Sequence, residues 1–175
     1  MKTIVSLCDR TGIMCEPFKK AGYSILKYDL SEGQDVRLLE FPKGEIAGVI
    51  SQPPCTNFAS SGARWWKKKG EEALLNSLSI SDACLRISLV AHHHYNAWWV
   101  MENPVGRLSR FINKPSLIFH PYEYAGWLKG DEAQLERYKK QTCLWGNFKH
   151  PIKKDLGPHP DKKNKRKNIG ICPIG

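Results

Sequence analysis

The chain has 175 residues, 27 Lys and Arg against 17 Asp and Glu, and a formal net charge of +10. With 41% hydrophobic and 10% aromatic residues it can build a packed core, which excludes wholesale disorder. No apolar run approaches the ~18–20 residues of a membrane span, and Met1-Lys2-Thr3-Ile4-Val5 does not open a secretory leader. The expectation is a soluble, basic, intracellular protein of one domain, with no membrane partner and with a polyanion, nucleic acid first, as partner.

In chain order, Thr3 to Leu7 reads as a short buried strand, followed by the turn-rich Asp9-Arg10-Thr11-Gly12. Cys15 to Ala21 reads as a short helix stopped by Gly22. Ser24 to Tyr28 is a second strand ending at Asp29, and Ser31 to Asp35 a loop. Ala47 to Ser51 is a third strand, running directly into Gln52-Pro53-Pro54-Cys55. Arg64 to Lys69 falls in what reads as a mobile Ser/Gly/Ala-rich loop. Glu71 to about His93 is a long helix, with Leu74, Leu75, Leu78, Cys84, Leu85, Leu89 and Val90 at near-helical spacing. Ala97 to Met101 is a fourth strand, ending at Glu102-Asn103-Pro104. Beyond residue 113 the pattern breaks into shorter strands and loops. The alternation predicts an α/β fold: a doubly wound, mostly parallel sheet with helices on both faces.

The charge is uneven. Residues 1–50 carry seven basic and seven acidic side chains, whereas Lys149 to Lys167 holds eight basic and two acidic ones. The 149–167 stretch is poor in apolar residues and reads as a basic loop or mobile arm. The six cysteines (Cys8, Cys15, Cys55, Cys84, Cys143, Cys172) form no CxxC and read as thiols. His92-His93-His94 does not have metal-ligand spacing, because adjacent helical histidines point in different directions, so no metal site is expected.

In open α/β sheets ligands collect at the carboxyl ends of the strands. Here each predicted strand ends in a polar or reactive cluster. A glycine between strand and helix, Gly12, lets the backbone approach a ligand closely. No GxGxxG is present, so a dinucleotide fingerprint is not supported. Asp29 stands where a carboxylate can accept hydrogen bonds from ribose hydroxyls; the alternative is a turn Asp that caps its loop. Cys55 follows two prolines that fix the backbone before it, at an exposed strand end, as a nucleophile requires; a structural cysteine beside a turn is the alternative. Arg64, Lys67, Lys68 and Lys69 would supply an electropositive field and meet phosphates. Glu102, at the mouth of an apolar strand, would be partly desolvated and held protonated to serve a ring nitrogen; the alternative is a turn Glu.

Pro53-Pro54-Cys55 after one strand and Glu102-Asn103 after the next resemble the DNA cytosine-5 methyltransferases, the short phage- and prophage-type members most closely. Cys8-Asp9-Arg10-Thr11-Gly12 resembles their S-adenosylmethionine loop, without its usual Phe-x-Gly-x-Gly form. Asp29 is similar to the ribose-binding acid and Asp35 to the residue that contacts adenine. Pro54 to Trp66, Met101 to Leu108 and Tyr138 to Phe148 also resemble segments of the short members. The resemblance spans residues 3–150.

It implies a Rossmann-like class I S-adenosylmethionine-dependent methyltransferase sheet, with a catalytic domain over 1–148. The catalytic residues would be Cys55, Glu102, Asn103 and Pro54, and the cofactor contacts Cys8, Asp9, Thr11, Gly12, Asp29, Asp35 and Pro53. DNA is the implied partner, bound by Arg64, Lys67, Lys68 and Lys69, and by Lys162, Lys163, Lys165, Arg166 and Lys167 of the arm. The implied compartment is the cytoplasm of a bacterium or a phage-infected host. The 149–167 arm stands where the family carries a much longer target-recognition region, and Asn168 to Gly175 resembles the beginning of its last motif. A second chain supplying recognition or that motif is therefore a further candidate partner. Arg107 and Arg137 are both candidates for the family's arginine beside the catalytic site. Two other readings stay open: a catalytically weak nucleic-acid-binding or regulatory derivative, and an enzyme acting on RNA, on nucleotides or with another donor group.

Overall fold

The computed structural model describes residues 2–160; Lys162, Lys163, Lys165, Arg166, Lys167 and the closing 168–175 lie outside the described residues. Short runs of β-branched and aromatic residues form six strands: β1 (Thr3–Leu7), β2 (Ser24–Tyr28), β3 (Ile46–Ser51), β4 (Trp98–Pro104), β5 (Leu117–Phe119) and β6 (Thr142–Gly146). The α-helices are α1 (Glu16–Lys20), α2 (Trp66–Tyr95), α3 (Ser109–Ile112) and α4 (Gly130–Leu135). The strands form one sheet in the order β2-β1-β3-β4-β6-β5. β1 pairs in parallel with β2 and β3, and β3 with β4, while β6 runs antiparallel to both β4 and β5. The architecture is α/β with a mixed, mostly parallel sheet.

Both faces of the central strands are buried, which is why β1 is mostly apolar rather than alternating, its one buried polar residue, Ser6, donating to Asp9. Val5, Leu7, Val49 and Met101 pack on one face with Cys84, Ile87 and Ala91 of α2. Ile4 and Ile50 pack on the other face with Cys15, Phe18 and Trp98. Helices therefore lie on both faces, but unequally. α2 spans 30 residues, whereas the opposite face has α1, of five residues, and the preceding 3-10 turn Ile13–Cys15.

Three expectations are corrected. First, the buried stripe of α2 is only partly the expected one: Cys84 is buried and Leu74 and Leu78 pack partly buried against the core, but Leu75 and Leu89 are exposed, and beside Ile87 the small Ser77, Ser81, Ser88 and Ala91 face inward. These small residues recur at helical spacing and let the helix lie close to the sheet. The Ser81 and Ser88 hydroxyls donate to the Ser77 and Cys84 carbonyls, which satisfies their polarity inside the core. Ser60–Tyr95 is by length and composition long and apolar enough to cross a membrane, as the core helix of a globular domain also can be.

Second, Arg64 to Lys69 is ordered helix rather than loop: the 3-10 turn Ser60–Trp65 leads into α2, which kinks at Gly70 (φ 78). Trp66 is held there beneath the Arg107 guanidinium, 4.3 Å from its ring centre. Third, β4 runs to Pro104, so Glu102 and Asn103 lie inside a strand. Pairing with β6, from Val100↔Gly146 to Pro104↔Thr142, prolongs β4 past the end of β3.

The stripe makes a prediction that runs against hydropathy. Ser81→Leu forces a large side chain into the helix–sheet contact and lowers stability by about 1–3 kcal/mol, whereas Leu75→Ser stays within about 0.5 kcal/mol, both read from urea unfolding.

Candidate functional site

The chain leaves β1 for β2 on one side and returns to β3 on the other. The strand order therefore reverses at β1, and the carboxyl ends of β1 and β3 are where α/β sheets of this kind form a ligand crevice. The loop after β1 starts at Cys8, whose φ of 56° is left-handed, uncommon for a residue with a Cβ. Asp9 is only 2% exposed. Its Oδ1 accepts from Gly12 N at 2.7 Å, and its Oδ2 accepts from Ser6 Oγ at 2.7 Å and Cys15 Sγ at 3.8 Å. The Asp9 carboxylate thus closes the loop from within, while exposed Thr11 and part-exposed Gly12 form its outer rim and border a cavity of about 450 Å³ with Tyr23 and Lys27.

Asp29 caps the 3-10 turn Leu30–Glu32 at the end of β2, and both Ser31 N and Ser31 Oγ donate to its Oδ1. Asp35 is engaged more fully. Arg37 Nε donates to both of its carboxylate oxygens, and the guanidinium holds its carboxyl below the ordinary range. Arg37 Nη1 in turn donates to Asn76 Oδ1 on α2 at 2.6 Å. Beside this pair is a cavity of about 260 Å³ lined by Tyr28, Gly33, Gln34, Val36 and Leu39.

The Cys55 turn is tied to β4 and the loop after it. Pro53 and Pro54 carry no N–H, so strand pairing cannot continue through them. Asn103, 1% exposed, donates from Nδ2 to Pro53 O at 2.8 Å. Beyond Cys55, Phe58 N and Ala59 N both donate to Cys55 O at 2.9 Å, and the fully buried Phe58 ring anchors the turn in the core. Arg107 N donates to Phe58 O, Arg107 Nε to Asn57 O, and Ser60 N to Val105 O. At Gly106 an added Cβ would lie 1.9 Å from Phe58 O, so this contact needs glycine.

The structure therefore gathers Cys55, Pro54, Pro53, Glu102 and Asn103 at the ends of two neighbouring parallel strands, with the Cys8–Gly12 loop and Asp29 on the same sheet edge. Asp35 joins them as part of an ion pair. Four buried polar atoms around the turn have no hydrogen-bond partner: Gln52 Nε2, Asn57 Oδ1, Trp66 Nε1 and Asn103 Oδ1. Gln52, Asn57 and Trp66 are not among the expected site residues, although Gln52 precedes Pro53-Pro54-Cys55 and the other two lie in the Pro54 to Trp66 segment that carries the family resemblance. Cys143, paired opposite Asn103, is a different kind of thiol. Burial, with the charge of Glu102 adding, pushes it up to about 11. Among the described residues no His/Cys/Asp/Glu group has the makings of a metal site.

Arg64, Lys67 and Lys68 are exposed beside this turn, and Arg64 and Lys68 lie over the half-exposed Trp65 ring. Lys69 instead reaches back to the Cys55 turn, donating to Thr56 O at 3.1 Å. The two candidate arginines separate clearly. Arg107 fastens the Cys55 turn, whereas Arg137 donates to Gly157 O and Pro158 O, on the other flank.

Residues 149–160 of the arm do not hang free. Lys154 N donates to Glu123 O, Gly126 N to Lys154 O, and Leu156 N to Tyr122 O, while Lys153 pairs with Glu123 and Lys154 covers Trp127. Lys153 and Lys154 thus make internal contacts.

No family model matches the chain, and no curated protein matches it significantly.

Cys143 sets a pH limit. Between its ordinary value of 9.0 and about 11 the unfolded chain has lost the thiol proton and the folded chain keeps it. Its contribution to stability is therefore complete below pH 9 and is lost as pH rises toward about 11. Urea midpoints of the parent fall across that window, and Cys143→Ala flattens the fall.

Proposed function

We propose that this chain is an S-adenosylmethionine-dependent methyltransferase, of Rossmann-like class I architecture, that acts on C5 of cytosine in DNA. The observation that carries the reading is the buried hydrogen bond from Asn103 to Pro53. It joins the Pro-Pro-Cys turn to the Glu-Asn strand at the sheet edge where α/β folds bind ligands.

The residues of the crevice suit the cofactor. Asp29 has its internal bonds on Oδ1, which leaves Oδ2 for ribose hydroxyls. Gln52 Nε2 is a buried donor without a partner, and Gln52 N is bonded to Leu7 O between the ends of β1 and β3. The apolar and polar walls beside Asp35 suit an adenine ring. S-adenosylmethionine, when bound, supplies an electrophilic methyl group.

The protein's own part is to make C5 of cytosine nucleophilic. A cytosine in a duplex is first flipped out of the stack. The Cys55 thiolate then adds to C6, forming a C–S bond, and Glu102 protonates or hydrogen-bonds N3 to take up the electron density. Once C5 carries the methyl group, its proton is removed, the C–S bond breaks, and Cys55 is regenerated. Asn103 and Arg107 position the turn and keep the thiol aimed. Arg64, Lys67 and Lys68 meet the DNA backbone, with Lys162 to Lys167 supplying further cations.

A second reading, a nucleic-acid-binding derivative without catalysis, is favoured by one observation: the Asp35 carboxylate is already taken by Arg37. The two separate in one assay. Labelled methyl transfer to DNA, with mass spectrometry of the nucleosides, yields 5-methylcytosine under the first reading and none under the second. Cys55→Ala abolishes transfer and the adduct with 5-fluorocytosine DNA, and Glu102→Gln slows transfer by about 10²–10⁴-fold. A Cys55→Ala protein as active as the parent would overturn the nucleophile assignment.

A further inference from the structure

Two thiols that take no part in the transfer step meet at the end of β1, one of them, Cys8, in the loop whose resemblance implies cofactor contact. Cys8 Sγ and Cys84 Sγ are 3.8 Å apart, on residues 76 positions apart in the chain. Cys8 opens the β1 loop and is partly exposed, whereas Cys84 lies on the inner stripe of α2 with no exposed surface. The left-handed backbone of Cys8 directs the chain out of β1, and its side chain packs against the α2 core. A disulfide needs an S–S separation of about 2.05 Å, so the two sulfurs have about 1.8 Å to close. A loop, rather than two rigid elements, carries one of them.

We propose that Cys8 and Cys84 are a redox modification site that reacts with low-molecular-weight disulfides and closes into an intramolecular disulfide, tying the β1 loop to α2. Access sets the order of events. The Cys8 thiolate attacks one sulfur of the reagent, the reagent's S–S bond breaks, and one reagent thiol leaves with the proton that Cys8 gave up. Cys8 then carries a mixed disulfide. Cys84 loses its proton and attacks Cys8 Sγ; the mixed bond breaks and the second reagent thiol leaves, protonated in turn. Two protein thiols are oxidised and one reagent disulfide is reduced to two thiols. The bond restrains the Asp9–Gly12 turn that follows Cys8, whose hydrogen bonds to Asp9 shape the loop. None of this depends on methyl transfer, so the two proposals fail separately.

The test uses the full chain, reduced and desalted, incubated with oxidised glutathione, quenched with N-ethylmaleimide and mapped as peptides. The expected product joins Cys8 to Cys84, is two hydrogen atoms lighter than the reduced protein, and reverts with dithiothreitol. In Cys84→Ser the glutathione stays on Cys8, and Cys84→Ala repeats the measurement should a serine disturb the helix. Amide exchange across Asp9–Gly12 slows by roughly tenfold in the oxidised protein. Glutathione persisting on Cys8 with Cys84 present, a cross-link between other cysteines, or no reaction at Cys8 overturns the pairing. Unchanged exchange across the loop overturns the tie. A reduced protein that binds no S-adenosylmethionine counts against the methyltransferase reading and leaves the disulfide map untouched.

Discussion

A buried amide holds the sheet edge together. Pro53 and Pro54 end the pairing of β3 by removing two donors, which leaves a carbonyl inside the protein that must be met. Asn103 meets it from the neighbouring strand. The chain after β3 cannot then swing away from β4, and the rest follows. Phe58 seats in the core, Gly106 slides under its carbonyl, and Arg107 reaches Asn57 O with Trp66 stacked beneath it. The start of α2 is fixed by these contacts, which is why a segment rich in Ser, Gly and Lys is ordered.

The same reasoning separates binding roles from structural ones among the acidic residues. Asp9 is spent inside its loop and shapes the Gly12 turn. Asp35 is spent on Arg37. Asp29 takes its bonds from Ser31 on Oδ1 alone. A carboxylate that follows a strand has the same appearance in each case, and only its partners show which task it performs. In the proposed enzyme Asp9 acts through the shape of the backbone, whereas Asp29 touches the cofactor directly.

The described part of the basic arm is spent in a comparable way. Lys153 and Lys154 hold residues 149–160 against Tyr122 to Trp127, and Arg137 clasps the stretch from the other end. The cations by which the proposed enzyme would grip DNA are then those beside the Cys55 turn, Arg64, Lys67 and Lys68, together with the group from Lys162 to Lys167. The first three stand on a helix start whose position is set by Arg107 and Trp66, so proposed substrate grip and nucleophile position share one support.

The first four strands along the chain, and the reactive residues that follow them, were legible in the sequence; their order in the sheet was not. Mostly apolar runs mark the buried strands, and two prolines directly after such a run end its pairing. The α/β class follows from that alternation. The tertiary structure decided what local pattern cannot encode. Glu102 and Asn103 became strand because β6, some forty residues away, pairs beyond the end of β3. Much of the inner face of α2 went to small residues, Ser77, Ser81, Ala83, Ser88 and Ala91, beside Cys84 and Ile87, while Leu75 and Leu89 were left outside, because the helix lies close to the sheet. Arg107, rather than Arg137, came to the Cys55 turn because a glycine beside it lets two backbones touch. Each of these outcomes is a long-range contact, which no window of sequence contains.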